Sequence, residues 1–190
     1  MFIEAIIGGI ILGRLRSGNI SALENIKFKG WKFLIALLLI DLGLRFYIVK
    51  SSSSLGLALF NYYPMFSIIF YLLTIVILDL NKNLKYLRII QSGYVLNLLP
   101  MLTNGGKMPV LESALKSIGK FAEIELLKNN ALLTHKLVDD TTKFRLLADN
   151  IPFPYFIPKV ISIGDIILSI GLMLFISHYM TIGRKVSHKR

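Results

Sequence analysis

Apolar residues fall along this chain in five runs separated by short basic segments, and one long mixed segment, 103–160, interrupts the series. About 20 apolar residues in a helix cross a hydrocarbon core of about 30 Å. The pattern predicts an all-α, polytopic membrane helix bundle with about five spans, at about 2–15, 33–49, 58–80, 89–102 and 161–180. The first run is short for a bilayer unless its flanking side chains snorkel. Glu4 precedes it and Arg14, Arg16, Lys27, Lys29 and Lys32 follow. A signal peptide has the opposite order, so a retained span is expected. The fourth run contains Gln91, Ser92, Gly93, Asn97 and Pro100; it is expected inside the bundle, kinked at Pro100, where its amides find partners.

The mixed segment has its own pattern. Thr103 to Pro109 reads as a helix stop followed by a helix start, because Asn and Gly tolerate positive φ and proline suits a first helical turn. From Pro109 to Lys128, Leu111, Ala114, Leu115, Ile118, Phe121 and Ala122 share one face of a helix, opposite Glu112, Lys116, Lys120 and Glu123. This predicts an amphipathic helix lying in the outer interface. Pro152, Pro154 and Pro158 impose an extended run in which Phe153, Tyr155 and Phe156 suit the water–lipid boundary. Ser162 as N-cap with Asp165 three positions on resembles a capping box at the start of the last span.

Composition supports the membrane assignment: 54% of residues are hydrophobic and 17% charged, with 22 Lys and Arg against 11 Asp and Glu. The cation distribution orients the spans. Segments 14–32, 81–88 and 182–190 carry five, three and four basic residues, all on one side of the predicted topology. In 103–160 eight basic residues are mixed with six acidic ones, and long mixed segments weigh little in the positive-inside rule. The N-terminus is therefore expected outside and the C-terminus in the cytoplasm, with the excess charge held against anionic lipid. The basic residues frame apolar helices and form no stripe with interleaved aromatics, so no nucleic-acid partner is expected. Cysteine is absent, which removes disulfides, thiolate catalysis and cysteine-ligated zinc or iron–sulfur centres. No metal and no cofactor are expected: Walker loop, dinucleotide fingerprint, zincin motif and nucleophile elbow are all missing.

Candidate chemistry gathers in the outer segment. Asn104, Gly105 and Gly106 expose successive backbone amides and, with Met108 and Pro109, form a turn suited to holding an anion at the membrane surface. His135 precedes Asp139 by four residues, one helix face if that stretch is helical. Asp165 brings an ionisable group into an apolar helix, a functional candidate in a membrane interior, with Asp149 as its nearest plausible partner in a carboxylate pair. Asp41 and Arg45, four apart in the second span, neutralise each other as an intramembrane ion pair. Ala5, Gly9 and Gly13 have the small-xxx-small spacing that lets membrane helices approach closely. That face packs against this chain's own helices, or docks a second copy or a partner subunit.

The motifs Asn104-Gly105-Gly106-Lys107-Met108-Pro109-Val110, His135, Thr141, Leu147-Ala148-Asp149 and Ser162-Ile163-Gly164-Asp165 resemble those of a family of small bacterial multi-pass membrane proteins of unknown function. The resemblance covers most of the chain and implies a bacterial cytoplasmic membrane. The family pattern Leu-Gly-Asp is replaced here by Leu147-Ala148-Asp149, which argues against an indispensable glycine turn. A looser likeness, at one motif, is to signal peptidase II proteins: Asp149 and Asp165 would be the catalytic aspartates, without that family's Asn and Asp-Arg context. The expected function is binding of a lipid, peptide or small molecule in a polar pocket at the outer leaflet, made by 103–160 and the last two helices, with Asn104, Gly105, Gly106, Met108, Pro109, His135 and Ser162 as ligand contacts. The alternatives are a membrane-embedded aspartyl hydrolase and a substrate-binding membrane subunit of a transporter.

Overall fold

The computed structural model describes residues 2–187, with side chains to residue 182. The chain is mostly helical: α1 (Phe2–Leu15), α2 (Trp31–Lys50), α3 (Ser54–Leu80), α4 (Leu87–Thr103), α5 (Glu112–Ser117), α6 (Phe121–Lys128) and α7 (Ile163–Ser187). Four three-residue strands add to these: β1 (Met108–Val110), β2 (His135–Leu137), β3 (Ile151–Phe153) and β4 (Lys159–Ile161).

Helix length corrects the five-span expectation. Among the described residues two helices are long and apolar enough to cross a membrane, Ser54–Leu80 and Ile163–Ile182. At about 1.5 Å per residue they reach about 40 Å and 30 Å. α1, with 14 residues, reaches only about 21 Å, and α4, with 17, about 25 Å. α2 has the length, but Lys32, Asp41, Arg45 and Lys50 punctuate it. The basic residues Arg184, Lys185, Lys189 and Arg190 lie beyond the described side chains.

The chain divides into two compact units, and α3 and α4 each contribute to both. The first takes the described parts of Met1–Lys29 and Gly164–Arg190, together with Ile75–Tyr94. Here α1 ends at Ser17, in the left-handed region at φ 58°, with the Gly18 amide donating back to the Gly13 carbonyl, a Schellman closure. The small face of α1 is occupied by α7. Ala5, Gly9 and Gly13 are buried, and a Cβ on Gly9 would lie 2.9 Å from the Ile176 Cβ, while one on Gly13 would collide with Met180. α4 and α7 approach in the same way: a Cβ on Gly93 would meet the Gly164 carbonyl at 2.7 Å, and one on Gly171 the Ile90 nitrogen at 2.8 Å. Leu78, Leu87, Ile90 and Leu168 form the core, flanked by Phe28, Leu84 and Phe175. Asn81 binds the loop into α1's unit through its whole amide: Oδ1 accepts from the Lys29 nitrogen at 2.6 Å, and Nδ2 donates to the Lys29 and Ile77 carbonyls, each at 2.8 Å. The polar side chains of α4 in this unit have partners as expected, Gln91 donating to the Ile75 carbonyl and Ser92 to the Ile89 carbonyl.

The second unit is Gly30–Thr74 with Val95–Ile163. Asp41 and Arg45 on α2 pair at 2.9 Å. The sequence alone missed the third member: the buried Tyr63 of α3 donates its hydroxyl to Asp41 Oδ1, and the Arg45 guanidinium lies 5.4 Å from the Tyr63 ring centroid. The single amphipathic helix expected over Pro109–Lys128 is two short helices, broken at Gly119 with φ 74°. The break resets the helical phase, so Ile124 and Leu127 turn inward while Phe121 and Ala122 face out. The apolar face is then internal rather than interfacial: Val110, Leu115, Ile124 and Leu127 form a core with Leu132, Leu137 and Val160 against it.

Candidate functional site

β1 is the centre of the 104–161 segment. It pairs in parallel with β2, Met108 opposite His135 and Val110 opposite Leu137. On its other edge the Asp149 amide donates to the Pro109 carbonyl at 2.9 Å, and the Leu111 amide to the Asp149 carbonyl at 3.0 Å. His135 and Asp149, 14 residues apart, are thereby held on either side of one strand. Their side chains meet with His135 Nε2 3.3 Å from Asp149 Oδ2. Asp149 is 5% exposed and His135 about a third, so the pair runs from the interior to the surface.

The other imidazole nitrogen, Nδ1, lies 2.7 Å from the Thr134 hydroxyl. A carboxylate facing Nε2 favours the proton on that nitrogen, which leaves Nδ1 to accept from Thr134. Thr134 carried no motif signal; its role comes from preceding His135 on β2. Thr134 and His135 open into a cleft of about 530 Å³ whose other walls include Lys120, Glu123, Leu126 and Leu132. The cleft is open to solvent and sets polar groups among apolar ones.

The glycine-rich turn supports this arrangement from below. Gly106 donates its amide to the Met101 carbonyl at 2.8 Å, with Gly105 at φ 71° and Gly106 at φ 79°. Gly105 has open space where a Cβ would stand, whereas a Cβ on Gly106 would meet the Pro64 carbonyl oxygen at 2.5 Å. Asn104 acts as a bridge: Nδ2 donates to the Pro100 and Lys143 carbonyls, and Oδ1 accepts from the Lys143 amide. Lys107 donates to the Leu132 carbonyl at 2.7 Å and lies over the Phe60 ring. Burial lowers its pKa from the usual lysine value. Met108 and Pro109 are buried and serve as strand, not as surface contacts.

Two expected assignments differ in the structure. His135 is on a strand and Asp139 in a turn, where Asp139 accepts from Thr141 and Thr142 and faces Lys136; they share no helix face. The Thr141 hydrogen bonds, then Lys136 and Thr142, hold the Asp139 carboxyl well below the usual range. Ser162 is fully buried and donates to Asn97 Oδ1 at 2.7 Å, a structural link rather than a ligand contact. Asp165 opens α7, and the side chain that faces Asp149 is that of His135. No cluster of three or more His, Asp or Glu side chains able to hold a metal occurs among the described residues.

The structure thus defines a mostly helical protein with two helices long and apolar enough to cross a membrane and a small β-containing segment in which a buried aspartate faces a half-buried histidine. The model of the family of unknown function DUF5317 matches residues 25–177, and the chain belongs to that family. An uncharacterised protein of Thermotoga maritima is 37% identical over 97 residues, covering 50% of this chain and 52% of the relative. The chain therefore spans about half the length of that relative. No solved structure matches.

Proposed function

We propose that this protein is an integral protein of a bacterial cytoplasmic membrane that binds a small amphipathic molecule in the His135 cleft. The observation that carries the binding site is the buried Asp149 carboxylate facing His135 at a cleft lined by both apolar and charged side chains. Burying a carboxylate is costly without a partner. Here the buried carboxylate orients an imidazole at the cleft wall, where with Thr134 it would fix a polar ligand group while Leu126 and Leu132 receive its apolar part. Membrane residence is supported by α3 and α7 and by the apolar side chains that α2 exposes, Phe33, Leu39, Phe46 and Val49 among them. Exposed apolar area of that extent is foreign to monomers in water. On this reading segment 104–161 faces the outer side of the membrane.

The test is native mass spectrometry of the protein released gently from its own membrane. The wild type is expected to carry a specific small molecule that is lost from His135→Ala and from Leu126→Glu, both at normal abundance. A bare wild-type chain, or a ligand retained by both variants, would refute the site.

The Asp149–His135–Thr134 series also favours a second reading, a hydrolase in which His135 takes a proton from the Thr134 hydroxyl as it attacks the ester. Ester turnover lost in both His135→Ala and Thr134→Val would support it; unchanged turnover in either would end it.

A further inference from the structure

We propose that the β3–β4 hairpin is a membrane-surface anchor whose tip, Tyr155-Phe156-Ile157, inserts among lipid headgroups of an anionic bilayer. β3 and β4 pair antiparallel from Ile151 opposite Ile161 to Phe153 opposite Lys159. The loop they hold out is among the most exposed apolar surface of the second unit: Phe156 is 85% exposed, with Tyr155 and Ile157 also exposed. A bulky residue rarely adopts positive φ, yet Phe156 stands at 55° with its side chain exposed. Pro152, Pro154 and Pro158 stiffen the loop further. Phe153 packs edge-on to Tyr155 at 5.5 Å between ring centroids, and Lys159 lies 5.5 Å from the Phe153 ring.

A second exposed apolar residue is tied to the hairpin base. Leu146 is 82% exposed; the Asn150 side chain donates to the Arg145 carbonyl beside it, and the Asn150 amide to the Ile161 carbonyl of β4. Apolar tips are thus flanked in sequence by Lys143, Arg145 and Lys159, cations complementary to anionic headgroups. Aromatic residues with a polar edge settle at this boundary. The occupant is identified as a bilayer because residues 158–162 alone separate the tip from Ile163, where α7, a candidate span, begins. A protein partner would not need that proximity.

The inference rests on the membrane reading above, and one experiment separates the two. Trp31 is the sole tryptophan. In a Trp31→Phe background, single tryptophans are placed by Phe156→Trp and, as a reference in α7, by Ile170→Trp. Each full-length protein is reconstituted in nanodiscs of phosphatidylcholine and phosphatidylglycerol, with or without acyl-chain bromine near the headgroup and, separately, near the chain end. For Phe156→Trp the expected result is a blue-shifted emission that loses most of its intensity with the shallow bromine and little with the deep one. Water-like emission untouched by either lipid overturns the anchor, provided Ile170→Trp is quenched; if neither is quenched, the membrane reading fails with it.

Discussion

Two adjacent glycines in the turn after α4 provide the sharpest test of how the site is held. Gly105 and Gly106 both have positive φ, 71° and 79°, so alanine at either position incurs the left-handed backbone penalty of about 1–2 kcal/mol. Only Gly106 also meets a backbone atom, the Pro64 carbonyl oxygen, at 2.5 Å from where a Cβ would stand. A carbonyl within α3 cannot rotate aside as a flexible side chain would, and overpacking of this kind costs about 1–3 kcal/mol more. Gly105→Ala should therefore destabilise by about 1–2 kcal/mol and Gly106→Ala by about 2–5 kcal/mol, the sum of the two effects. For a chain of this size each kcal/mol lowers the midpoint by about 2–4 °C. The assay is thermal unfolding of both variants in identical nanodiscs, read by circular dichroism. Equal losses would refute the close approach of the turn to Pro64, and with it the account of why glycine stands at position 106.

Ser162→Ala removes the hydroxyl that donates to Asn97 and should cost about 1 kcal/mol of stability while leaving any copurifying ligand in place; loss of ligand without loss of stability would make Ser162 a contact after all. Gly9→Leu forces a side chain into Ile176 and Met173, so the protein's own yield and melting temperature should fall. A stable variant with an altered oligomeric state would instead return the small-residue face to a docking role. The Asp139 carboxyl is held low in the folded state, so its contribution to the 139–142 turn is fully present above the unfolded value near 3.9. It is lost as pH falls through the lower folded value. Hydrogen exchange at the Thr141 amide, which donates to Asp139 Oδ1, should stay slow below pH 3.8 and should quicken in Asp139→Asn at neutral pH. Exchange that accelerates as soon as pH drops below the ordinary aspartate range would contradict the assignment.

The sequence by itself determined the local features. Apolar runs and their breaks located α2, α3 and α7, and i, i+4 spacing located the Asp41–Arg45 pair, because helix periodicity is written in consecutive residues. The glycine turn at 104–106 was also legible from residue types alone. Length decided the rest of the membrane pattern: hydropathy marks an apolar run, but whether α1 or α4 reaches across a bilayer depends on where its helix ends. The strands were out of reach, since three residues give no period-2 signal, and the parallel pairing of β1 with β2 joins segments whose register no local pattern specifies. Only that pairing, with the Asp149 bridge on the opposite edge, decides that Asp149 faces His135. The same holds for Tyr63 at Asp41 and Ser162 at Asn97: each is a contact between residues far apart in sequence, chosen by which backbones pack closely enough to bring one donor to one acceptor.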